Sequence, residues 1–117
     1  MIILLQISQP VRSIIDNEKK KIYLQVLSDH FCLTIISDII DIPKTAVDIS
    51  KDTKIPISTV YRRLQFLQEN KLLKITGGIG KDGKYFLYQS RMKGFSTVFN
   101  GKSLEITVTS NLNFTIL

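Results

Sequence analysis

Seven consecutive residues, Gly78-Ile79-Gly80-Lys81-Asp82-Gly83-Lys84, spell the G-x-x-x-x-G-K pattern of a phosphate-binding loop. That chemistry has structural requirements. A strand must lead in and a helix must follow, because the first amides of the helix and its positive dipole end hold the phosphates; a Ser or Thr after the Lys binds magnesium. Tyr85 follows Lys84 instead, and Tyr85-Phe86-Leu87-Tyr88-Gln89 is an aromatic-rich strand pattern. Leu72-Leu73-Lys74-Ile75-Thr76 is strand-like as well. The stretch therefore reads as a β-hairpin with Asp82-Gly83 at its tip and two lysines beside it. Nucleotide hydrolysis is set aside.

The other reactive side chains are few. His30 and Cys32 form His-x-Cys near the start of an apolar helix pattern. Residues two apart on a helix do not face one way, and two ligands are too few for zinc. Both read as core or edge packing. His30 is the only histidine, so a Ser/His/Asp or Cys/His catalytic set would rest on it alone. The carboxylates are scattered without a pair placed for acid–base work. Phe95, Phe99 and Phe114 could form an aromatic platform for bases, but they alternate along strand patterns and read as core or dimer contacts. No enzymatic activity, cofactor or metal is expected.

What remains is charge. The 117 residues carry a net charge of +6, and it is unevenly spread. Residues 1–50 sum to −1, residues 51–93 to +7, and residues 94–117 to 0. A continuous basic piece beside neutral ones points to a polyanionic partner, against the plainer reading of a solvated basic surface. The length suits one domain with a real core, and an apolar content of 44% excludes a disordered chain. The opening Met1-Ile2-Ile3-Leu4-Leu5 is too short to span a bilayer and has no basic flank or cleavage site to mark a signal peptide. The single cysteine fits the reducing cytoplasm.

These charges need elements to position them. In residues 1–27, Ile14, Ile15, Ile22, Leu24 and Leu27 could line a helix, but Glu18-Lys19-Lys20-Lys21 interrupts the pattern, leaving an N-terminal extension. Ser28-Asp29 starts a first clear helix, with Phe31, Ile35, Ile36, Ile39 and Ile40 at helical spacing, and Pro43 stops it near Asp41. Thr45-Ala46-Val47-Asp48 is a capping-box start for a short second helix, to about Asp52. Pro56 opens a third, from about Ile57 to Asn70. Hairpin strands follow at about 72–77 and 84–90, then a second pair at 95–99 and 104–109 around Asn100-Gly101-Lys102, and residues 112–117 either add a strand or hang free. Three helices and a hairpin over residues 28–93 make an α+β winged helix-turn-helix, with residues 94–117 as an additional C-terminal β-hairpin or tail.

On the third helix, Val60, Leu64 and Leu67 at i, i+4, i+7 mark the core face. Ser58, Arg62 and Gln65 point away from it, Thr59 and Tyr61 flank them, and Arg63 sits nearer the core edge. Arg reads guanine and Gln reads adenine bidentately in a major groove, while Ser and Thr adapt to either. The helix start and Thr45 are placed for phosphates, as are Lys51 and Lys54.

Pro56-Ile57-Ser58-Thr59-Val60-Tyr61-Arg62-Arg63-Leu64-Gln65-Phe66-Leu67 resembles the recognition helix of ArsR-like winged helix-turn-helix transcriptional regulators, and Leu72–Ile75, the glycine-rich wing and Tyr85–Tyr88 continue the likeness over about residues 27–90. The likeness is close to archaeal members, which also end in a β-hairpin such as 95–109. The resemblance implies a cytoplasmic homodimer that binds duplex DNA and regulates transcription. It assigns DNA contact to Ser58, Thr59, Tyr61, Arg62, Arg63 and Gln65 in the groove and to Lys81 and Lys84 on the wing. The metal-sensing Cys-x-Cys pair of the family is missing, and Lys54 stands where such turns often carry glycine. Two other readings use the same features: a winged-helix module that binds protein within a larger assembly, and an RNA- or single-strand-binding module.

Overall fold

The computed structural model describes residues 11–112; the expectations for residues 1–10 and 113–117, Phe114 among them, lie outside that range. Along the chain run β1 (Val11–Ile14), α1 (Asn17–Ser28), α2 (His30–Asp38), α3 (Ala46–Thr53), α4 (Ile57–Glu69), β2 (Leu73–Gly80), β3 (Gly83–Ser90), β4 (Met92–Phe99) and β5 (Leu104–Ser110). The architecture is mixed α+β, with four helices and two small antiparallel sheets: β2-β3, and a three-stranded sheet in the order β1-β5-β4. Among the described residues no helix is long and apolar enough to cross a membrane.

Two features differ from the expectation. The lysine run lies inside a helix: Asp16 accepts from the Glu18 amide at 2.8 Å and starts α1, which buries Tyr23 and Val26. The charged residues are solvated there, apart from Lys20, whose Nζ donates to the Leu104 carbonyl at 2.8 Å. The C-terminal hairpin is also not alone. β1 pairs along β5, from Val11 opposite Thr109 to Ile14 opposite Ile106, so the extension and the C-terminus share one sheet.

The helices α2 to α4 follow their sequence signals closely. Asp29 caps α2, Thr45 caps α3 by accepting from the Asp48 amide at 3.1 Å, and α4 begins after Pro56. However, α2 ends at Asp38, three residues before the expected Asp41. Beyond Asp38 the carbonyls bond outward to the sheets. Ile39 accepts from the Ser90 amide at 3.0 Å, and Ile40 accepts from Gln89 Nε2 at 3.1 Å and Asn111 Nδ2 at 2.7 Å. These bonds draw the backbone away from the helix and tie it to the sheets. One contiguous core results, joining Ile35, Ile39, Ile49, Val60, Leu64 and Leu67 of the helices to Ile14, Ile106 and Val108 of the larger sheet.

Candidate nucleic-acid interface

The turn between α3 and α4 sets the angle at which α4 is presented. Lys54, in the place where glycine is common, adopts φ 65° and ψ 15°, the left-handed conformation a glycine would take. Its amide bonds the Ser50 carbonyl at 2.9 Å, and Ser50 Oγ donates to the Ile55 carbonyl at 2.6 Å, so the turn closes despite the side chain. At its far end α4 stops in a Schellman arrangement. Lys71 takes φ 61°, its amide bonds Gln68 O, and the Leu72 amide reaches Leu67 O, both at 2.9 Å.

Between these ends α4 is amphipathic. Val60, Leu64 and Leu67 are buried, while Ser58, Tyr61, Arg62 and Gln65 are exposed and Thr59 is half-buried. The helix has no side-chain cap, since Pro56 supplies none, so its first amides have no side-chain acceptor from the cap position. Thr45 is half-buried and engaged as the cap of α3.

Arg63 is placed differently from its neighbours. Its Nε donates to Asp29 Oδ2 at 2.6 Å, and its guanidinium lies 5.4 Å from the ring centre of Phe31. It holds α4 against the start of α2. Burial pushes the Asp29 carboxyl up, but the hydrogen bonds from Arg63, Cys32 and the Phe31 amide, with the Arg63 charge, outweigh this and hold it below the ordinary carboxylate value. Burial, followed by the Asp29 charge, pushes the Cys32 thiol up to about 12. It is a buried thiol that donates to Asp29 and packs in the core. Among the described residues no cluster of three metal-ligating side chains exists.

The β2-β3 hairpin runs in unbroken register from Leu73 opposite Ser90 to Gly80 opposite Gly83. A strand follows the glycines, so the phosphate-loop pattern has no helix to complete it. Lys81 and Asp82 form the bend, Gly83 closes it at φ 102°, and Lys81 and Lys84 are exposed at this end. The base of the hairpin is anchored by a bridge in which Lys44 and Tyr88 exchange backbone hydrogen bonds of 3.1 and 2.8 Å. Lys44 Nζ is in turn held by Asp38 at 2.9 Å and Asp52 at 2.7 Å. Burial raises the Tyr88 phenol, and Tyr61 adds to the shift.

The structure thus gathers Ser58, Tyr61, Arg62 and Gln65 on one helix face and puts Lys81 and Lys84 at the hairpin end. It assigns Arg63 and Thr45 structural work as well. Sequence reasoning missed Asp29 as the partner of Arg63 and Lys44 as the hairpin anchor; the only advance signal was the helix-start pattern at Ser28-Asp29. Comparison with family models, curated proteins and solved structures returns no match to the chain.

Proposed function

We propose that the protein is a sequence-specific duplex-DNA-binding transcriptional regulator of winged helix-turn-helix type, with α3-turn-α4 as the helix-turn-helix and β2-β3 as the wing. The observation that carries this reading is the α4 face: four exposed groups able to read base edges, opposite three buried aliphatic residues. The basic piece from 51 to 93 supports it, since α4 and the hairpin both lie within that piece. Arg62 and Gln65 read bases; Ser58 and Tyr61 adapt to the groove wall. Lys51, Lys54, Lys81 and Lys84 contact phosphates. The protein acts as a homodimer, because one helix of this length reads only a half-site.

The test is an equilibrium titration of labelled duplexes, one selected from a random pool and one of scrambled sequence, across a salt series. With about 6–8 phosphates neutralised per dimer, log K should fall against log salt with a slope of about −5 to −7. Arg62→Ala should weaken the selected duplex by about 1–3 kcal/mol and leave scrambled DNA nearly unchanged. A flat salt response would end the reading. Equal loss on both duplexes would reduce Arg62 to a phosphate contact.

A further inference from the structure

The hairpin carries more than lysines. One of its faces holds Leu73 and Ile75 of β2 with Tyr88 of β3, all packed on the core. Farther out, the same face continues through Phe86, opposite Gly77, to Ile79, opposite Lys84. The ring of Phe86 lies across Gly77: a Cβ added there would sit 3.5 Å from its Cδ1 and 3.6 Å from its Cε1. The glycine thus lets the ring lie against the backbone, and 52% of Phe86 stays exposed. Ile79 is 84% exposed. Isoleucine is apolar, and among the described residues nothing covers this one. An apolar stripe therefore leaves the core and ends, bare, beside two lysines.

From this we infer that Ile79, backed by Phe86, is an apolar wedge that enters a DNA minor groove and opens a base step, while Lys81 and Lys84 hold the flanking phosphates. The inference rests on the duplex-binding reading and adds to it a mode of recognition: the site is chosen partly by how easily the DNA bends. Charge complementarity selects the partner, since an exposed apolar side chain flanked by cations fits a groove with apolar base faces between two phosphate walls. Wedging of this kind unstacks one step and kinks the duplex, and flexible pyrimidine–purine steps yield most readily. The stripe is continuous with the core, so the wedge is braced by the fold.

The experiment uses the full chain and one duplex selected from a random pool by the unmodified protein. The duplex carries a donor and an acceptor dye at its ends. A second form has the same sequence with a two-nucleotide bulge that bends it beforehand, and a third is its single strand. The unmodified protein should bring the dyes closer on the intact duplex. Ile79→Ser should bind that duplex about 10-fold more weakly without the dye approach, and regain most of the loss on the bulged form. Lys84→Ala should weaken both forms alike. Far-UV circular dichroism and melting of Ile79→Ser should match the parent, because the side chain makes no core contact. If the parent binds duplex and Ile79→Ser binds and bends it equally, the wedge is wrong and the DNA reading stands. If the parent prefers the single strand, the stripe is a base-stacking platform and the wedge is wrong. If the parent binds no duplex, the underlying reading fails first.

Discussion

Asp29 shows how much one side chain can hold. Its Oδ1 caps α2 through the Phe31 amide at 3.0 Å, and its Oδ2 takes Arg63 at 2.6 Å and the Cys32 thiol at 3.5 Å. The family resemblance assigns Arg63 to the groove, yet its guanidinium is spent on this carboxylate and on Phe31. Removing Asp29 leaves an uncapped helix and a half-buried cation. Asp29→Ala should therefore destabilise the protein by about 1–3 kcal/mol in urea melts at pH 7. The pH dependence has a definite sign. A carboxyl held below its ordinary value contributes stability that is complete above that value, about 4, and is lost as the pH falls through the lower folded one. The parent should lose stability on acidification in this window, and Asp29→Ala should lose less. Parallel curves for the two would show that Asp29 titrates no differently in the folded protein. Arg63→Lys should repair little, because a lysine cannot both reach the carboxylate through a planar fork and lie over the Phe31 ring.

At the scale of elements, the glycines of the hairpin matter by what lies on them. Tyr85 stands opposite Gly78, and a Cβ there would fall 2.9 Å from its Cε1 and 2.5 Å from its Cζ. The phenol ring occupies the space a side chain would take. Gly78→Ala should displace the ring, whereas in a Tyr85→Ala background the same change should be harmless or stabilising. A double-mutant cycle read by amide exchange in β2 and β3 should give a coupling of about 0.5–1 kcal/mol. A coupling of zero would mean that the ring rests elsewhere in solution. This packing was invisible beforehand, because glycine patterns announce a turn but not which ring lies over the backbone. Other elements were legible for local reasons. The Thr45 cap, Pro56 and the buried stripe of α4 are short-range signals, and α3 and α4 stand where they indicate. The four residues of β1 carry no such signal: their strand character comes from pairing with residues 106–109, far along the chain. In α1 the lysines masked a period set by Tyr23 and Val26.

Across the whole molecule, the extension, the helices and the C-terminal hairpin share one core. Tyr23 of α1 meets Phe95 of β4 with ring centres 5.5 Å apart, and Ile14, Met92, Ile106 and Val108 belong to the same buried cluster as the helices. Asn111, buried beyond β5, donates from Nδ2 to Ile40 O at 2.7 Å and Ser90 O at 2.9 Å, joining the end of α2, the end of β3 and the larger sheet. These bonds also fix where the hairpin leaves the helices, and so where the lysines and Ile79 stand relative to α4. A sheet that only supported dimerisation could be removed with little effect on that relation. Here its removal would strip Ile14, Met92, Ile106 and Val108 from the shared core and uncover Tyr23. A fragment spanning residues 28–93 should therefore fail to unfold cooperatively, and the full chain should melt in one transition with tyrosine fluorescence and far-UV circular dichroism superimposed. Asn111→Ala should lower that single transition by about 1–3 kcal/mol, because the Ser90 carbonyl loses a donor in a buried site and the Ile40 carbonyl keeps only Gln89. Two resolved transitions, or a fragment that folds and binds DNA unaided, would show instead that the sheet is an appendage and that α4 and the hairpin keep their geometry without it.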